Sequence, residues 1–141
     1  TGKIAAVKPL VLFKLIADKF VPVIAPIAAG EEMGYPGFNI NADLCASHVA
    51  KAIGANKIIF LTDTPGVLNK DKELLATLTQ KEVEALKEDG TSHGGMVPKV
   101  DACLEAINCG VNKAHIIDGR LGHSMLLERF TSEGVGTEIV K

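Results

Sequence analysis

Two short runs, "NKIIFLTD" (56–63) and "KAHIID" (113–118), constrain this chain most. Each is apolar, rich in β-branched residues, too short for a buried helix and ended by an aspartate, as expected of strands covered on both faces of a parallel sheet. Helical spacing lies around them. Leu10, Phe13, Ile16 and Ala17 predict a helix over 9–19, and a second over 43–53 is stopped by Gly54. Thr79 followed by Glu82 predicts a capping box ahead of "QKEVEALKED", ended by Gly90. "PKVDACLEAINCG" (98–110) opens on Pro98 and stops at Gly110, and "HSMLLERFT" (123–131) gives a last helix.

"FVPVIAPIA" (20–28) reads as a further buried strand, shortened or near an edge because of its two prolines. "GTEIV" (136–140) closes the chain as a strand, and the polar middle of "VLNKDKELLATL" predicts a hairpin excursion. Strands alternating with helices mean an α/β layer fold with a largely parallel sheet, in a single domain without an internal repeat or linker.

Composition removes several function classes. At 141 residues the chain can bury a real core, and its net charge of -2 offers no basic face for nucleic acid. With no Trp and one Tyr there is no stacking platform for single strands either. Apolar runs are broken by Pro or charge short of a membrane span, and Lys3, Lys8 and Lys14 interrupt any signal-peptide core. Cys45, Cys103 and Cys109 form no C-x-x-C pair and read as buried free thiols of a reducing compartment. The four histidines are scattered, so no metal site is expected.

Ligands of open α/β sheets gather beyond the carboxyl ends of the strands. "LTDTPG" and "DGRLGH" lie at two such ends, and "GTSHGGMVPK" offers glycines that let a backbone approach a ligand. Lys99 falls in the first turn of its helix, where a cation opposes the macrodipole by roughly 0.3–1 kcal/mol. Either it points into water, or it converges with helix amides on a bound anion. Asn39 and Asn41 face one way if the backbone is extended, with Asp43 entering the next helix. Asn41 or Asp43 serves as the helix cap, or the three together hold a polar substrate and orient a lysine. Asp63 and Gly66 fit an ordinary turn equally well.

"NINAD", "LTDTPGVL", "GGMVPKV", "HIIDGR" and "LLERFTSEGVGTEI", in this order and spacing, resemble the C-terminal half of the acetylglutamate kinases, members of the amino acid kinase family. The resemblance covers essentially the whole chain and implies a three-layer αβα sandwich with a mainly parallel sheet. It implies ATP- and Mg²⁺-dependent phosphorylation of the γ-carboxylate of N-acetyl-L-glutamate in arginine biosynthesis. By the matched motifs, Lys99 would stabilise the transferring phosphoryl group and Asp43 would organise catalytic lysines. Asn39 and Asn41 would form the substrate wall. Thr62, Asp63, Gly66, Leu68, Thr91, Ser92, His93 and Met96 would border the nucleotide.

The tail resembles arginine-inhibited members, which places His115, Glu128 and Gly134 at an L-arginine feedback site. It also implies a homo-oligomer in the full enzyme and a cytoplasmic location, with the plastid stroma as the other setting. The family's N-terminal half, with its glycine-rich phosphate loop and most of the acetylglutamate pocket, is expected to be absent from this chain. Two further readings stand beside this one: a non-catalytic regulatory module that binds arginine or a nucleotide, and a kinase for another acylated amino acid.

Overall fold

The computed structural model describes residues 3–30, 37–90, 95–130 and 135–141. In chain order the elements are α1 (Leu10–Ala17), β1 (Ile27–Ala28), β2 (Phe38–Asn39), α2 (Ala42–Ile53), β3 (Lys57–Thr62) and β4 (Thr77–Thr79). They continue with α3 (Gln80–Glu88), α4 (Met96–Asn108), β5 (Lys113–Asp118), α5 (Ser124–Phe130) and β6 (Thr137–Val140).

A four-stranded sheet runs in the order β3-β5-β6-β4. The pairs β3–β5 and β4–β6 are parallel, while β5–β6 is antiparallel. The sheet is therefore mixed and mostly parallel. Register carries β3 and β5 in step from Lys57↔Lys113 to Thr62↔Asp118, so both carboxyl ends finish side by side. Strand side chains alternate between faces. Ile58, Phe60, Ala114, Ile116 and Ile139 meet Val100, Ala102, Cys103 and Ile107 of α4 in the buried core. His115 points to the other face, where α5 lies. The α/β reading of the sequence holds, with helices on both sides of the sheet.

Local chemistry explains the element ends. The Asn41 side chain caps α2 by accepting from the Leu44 amide at 3.1 Å, and Gly54 closes that helix in the left-handed region at φ 63°. The capping box expected at Thr79 and Glu82 is present. Gly136, at φ 93°, crosses β5 so closely that a Cβ would lie 2.2 Å from the Ile116 carbonyl oxygen.

Three expectations need correction. Residues 20–28 do not form a buried strand: Ile27 and Ala28 alone pair, with Phe38 and Asn39, in a separate antiparallel ribbon. Pro22 and Pro26 withhold two ladder donors, and Val21 and Val23 are among the most exposed apolar residues of the described chain. The helix containing Pro98 begins earlier, at Met96, with Gly95 as its cap. Of the three free cysteines, Cys103 is buried but Cys45 and Cys109 are partly exposed. Added to the expected elements is β4, which turns the end of the hairpin segment back into the sheet beside β6.

Candidate active site

Helices α2 and α4 bring two distant residues together. The Asn41 cap starts α2 so that Asp43 stands in its first turn, and Lys99 stands in the first turn of α4. Lys99 Nζ lies 3.1 Å from Asp43 Oδ2, with side-chain exposures of 22% and 25%. A cation at a helix N-terminus opposes the macrodipole, and the carboxylate across the gap offsets that conflict. One turn behind, the buried Ser47 hydroxyl bonds the carbonyls of Asp43 and Ala102, each at 3.0 Å. An ammonium held on one side and partly open to solvent is suited to meeting an anion. Cys103, behind the pair, is no nucleophile: burial pushes its thiol pKa far up, Asp43 pushes the same way and Lys99 only partly opposes them.

The residues expected around the nucleotide divide. Gly66, Leu68 and Met96 line one cleft of about 380 Å³, together with Thr64, Lys70 and Asp89. One wall is a hairpin closed by the Leu68–Leu74 bridge and by the Leu75 amide donating to the Val67 carbonyl at 2.9 Å. Its base is fixed to β6, where the Val67 amide donates to Thr137 Oγ1 at 2.8 Å. A Cβ on Gly66 would come within 2.6 Å of that same oxygen, so this position needs glycine. Thr64 Oγ1 is buried and has no hydrogen-bond partner among the described residues.

Thr62 and Asp63 do not line this cleft. They sit at the carboxyl end of β3, where the Thr62 carbonyl accepts the Gly119 amide at 2.8 Å and its hydroxyl donates to Asp63 Oδ1 at 3.3 Å. The adjoining Asp118 carboxyl is held down to about 2 by its hydrogen bonds from Arg120. Thr91, Ser92 and His93 lie outside the described residues.

Asn39 and Asn41 are both exposed and are separated by the buried Ile40, as expected of alternating side chains. The Asn41 amide oxygen is committed to its cap. Sequence reasoning passed over Ser47, Asp89 and two lysines that line the cleft, Lys70 and Lys72. The "NKDK" tip of the expected hairpin was the signal for the two lysines, whereas nothing in the local pattern marked Ser47.

On the opposite sheet face, Glu128 Oε1 lies 2.5 Å from His115 Nδ1 and 3.7 Å from Lys57 Nζ, and Glu128 Oε2 accepts the Val135 amide at 2.9 Å. His115 Nε2 has no hydrogen-bond partner among the described residues, and Glu138 Oε1 lies 3.4 Å from it. Burial lowers the His115 pKa against the pull of Glu128 and Glu138, whose charges Lys57 and Lys113 offset. The structure thus joins His115 to Glu128, while Gly134 lies outside the described residues. Among the described residues no group of three or more His, Cys, Asp or Glu could hold a metal ion, and no helix is long and apolar enough to cross a membrane.

The model of the amino acid kinase family matches residues 1–118. An acetylglutamate kinase of Sulfurimonas denitrificans is 78% identical over 139 residues, which are 99% of this chain and 49% of that protein. The chain therefore spans about half the length of the curated relatives it matches. Among solved structures, N-acetylglutamate synthase from Neisseria gonorrhoeae, complexed with coenzyme A and L-arginine, superposes with a TM-score of 0.85 at 27% identity, covering 94% of this chain and 30% of that one. Carbamate kinase from Giardia lamblia bound to AMP-PNP gives a TM-score of 0.70 at 25% identity, covering 94% and 44%. With the match of the family model to most of its length and this shared architecture, the chain belongs to the amino acid kinase family.

Proposed function

We propose that this chain is the ATP-binding half of an acetylglutamate kinase, a cytoplasmic enzyme of arginine biosynthesis. The observation that carries the reading is the Asp43–Lys99 pair at the N-terminal ends of α2 and α4. In the proposed reaction the γ-carboxylate oxygen of N-acetyl-L-glutamate attacks the γ-phosphorus of MgATP, the bond to the β,γ-bridging oxygen breaks, and an acyl phosphate and MgADP result. Such transfer needs positioning and charge stabilisation more than covalent help from the protein. Lys99 meets the charge on the phosphoryl oxygens, and Asp43 keeps the ammonium in place. Asn39 and Asn41 border the acceptor. The cleft at Gly66, Leu68 and Met96 takes the nucleoside, and Thr62 and Asp63, at the carboxyl end of β3, border the nucleotide outside that cleft. Mg²⁺ arrives with ATP and is held mainly by the phosphates.

The test is a calorimetric titration of MgADP into this chain and into Lys99→Ala. Micromolar binding, about -8 kcal/mol, that weakens in the variant supports the reading; no binding by the folded wild-type chain overturns it. Adding the other half of the Sulfurimonas denitrificans relative, and trapping acyl phosphate with hydroxylamine over a panel of acylated amino acids, identifies the acceptor. Nucleotide binding without turnover in that mixture favours a regulatory module instead.

A second reading concerns the other face. The partly buried Glu128 carboxylate, already bonded to His115 and the Val135 amide, is suited to a guanidinium. We assign L-arginine binding to this place. Loss of arginine binding in Glu128→Gln, with MgADP binding intact, tests it.

A further inference from the structure

We propose that Lys70 and Asp89 form a charge clasp across the cleft, which opens whenever a nucleotide enters or leaves. The inference rests on the nucleotide reading of that cleft. Its two walls come from different elements: the hairpin around Leu68 on one side, the end of α3 and the start of α4 on the other. Lys70 Nζ reaches across to Asp89 Oδ2 at 2.9 Å.

The hairpin tip is built to move as one piece. Asn69 Oδ1 accepts the amides of Asp71 and Glu73, both at 2.9 Å, and Asn69 Nδ2 donates to Glu73 Oε2 at 2.9 Å. Glycines adjoin both walls: Gly66 at the hairpin base and Gly90 directly after Asp89, at φ 150° and 73°. The pair itself is weak by design of its surroundings. Its side chains are 67% and 42% exposed, so water and salt screen it. It therefore joins the walls without locking them, and it neutralises a cation that would otherwise face an incoming polyanion.

A clasp of this kind acts on passage in both directions. Stopped-flow mixing of the chain with Mg²⁺ and an ADP carrying a ribose fluorophore measures it. Lys70→Ala and Asp89→Ala should each raise the association and dissociation rates together, by about twofold to fivefold, with little change in Kd. The exchanged pair Lys70→Asp with Asp89→Lys should return both rates toward wild type. Unchanged rates overturn the proposal. So do opposite effects on Kd, weaker in Lys70→Ala and tighter in Asp89→Ala, because they would make Lys70 a ligand of the nucleotide.

A ligand-free measurement separates failure of the clasp from failure of the nucleotide reading. Trypsin cleavage after Lys70 and Lys72 should quicken by about twofold or more in Asp89→Ala. If the wild-type chain binds no ADP, the nucleotide reading falls and cleavage alone decides the clasp; equal cleavage in the two proteins removes it.

Discussion

The Ser47 hydroxyl of α2 lies 3.0 Å from the Ala102 carbonyl of α4, one turn behind the Asp43–Lys99 pair. It also reaches the Asp43 carbonyl at 3.0 Å, so a single proton is shared between the two helices. This buried contact sets how far apart the two charged side chains stand. Ser47→Ala should cost about 1 kcal/mol of stability, the usual worth of a buried hydrogen bond. It should also weaken MgADP binding, since Lys99 is then held less firmly. Chemical denaturation and calorimetry on the same protein check both effects. Ser47→Thr keeps the hydroxyl and should recover binding; equal weakening in the two variants would show that volume, not the hydrogen bond, matters there.

Gly136 leaves no room for a side chain. Its φ of 93° disfavours any other residue, and a Cβ would press to 2.2 Å from the Ile116 carbonyl and 2.8 Å from Ile117 Cγ2. Both neighbours are buried and cannot retreat. Gly136→Ala should therefore destabilise by about 3 kcal/mol or more. Gly110→Ala makes the control: its φ is 105° but its Cβ direction is open, leaving backbone strain alone. A thermal melt of the pair separates strain from collision.

Thr79 tests the capping chemistry by itself. Its hydroxyl accepts the Glu82 amide and the Glu82 carboxylate accepts the Thr79 amide, at 3.4 and 2.7 Å. The Thr79 amide and hydroxyl both donate to Glu82 Oε2, at 2.7 and 2.8 Å, and hold the Glu82 pKa below its ordinary value. Thr79→Ala should cost about 1 kcal/mol, read from the denaturant midpoint at neutral pH. A change within experimental error would mean that the parallel pairing of β4 with β6 already fixes the start of α3.

Much of this fold is legible because its signals are local. The β-branched runs at 57–62 and 113–118, the Thr79 capping box and the glycine stops each require a few neighbouring residues and nothing distant. Residues 20–28 misled for the same reason. Their composition suits a strand, but the proline positions decide against a continuous one, and among the described residues only Ile27 and Ala28 find a partner. The antiparallel turn of β6 against β5 depends likewise on Gly136 crossing Ile116, which no local pattern reveals. The charged pair was nameable from its motifs, yet Ser47, Lys70 and Asp89 enter only once helices and hairpin stand beside each other. They read as surface or core residues until a partner on another element is known.

The His115 cluster makes stability depend on pH, and the direction follows from its surroundings. The ring is 3% exposed. It faces Glu128 on α5, Lys57 on β3 and Glu138 on β6, with Lys113 on its own strand. Burial lowers its pKa below the ordinary 6.5, and the two lysines weaken the carboxylates' pull toward protonation. The unfolded chain then binds the proton first as pH falls. Stability from this site is complete above the unfolded value of 6.5 and declines below it, until the folded state also takes up the proton. The slope from this one group is at most about 1.4 kcal/mol per pH unit. Denaturation midpoints at closely spaced pH values above and below 6.5 should fall more steeply for wild type than for His115→Gln, whose side chain does not titrate. The variant also loses the contact with Glu128, so its absolute stability is lower and only the slope is diagnostic. Parallel slopes would mean that the carboxylates keep the imidazole as basic as it is in water.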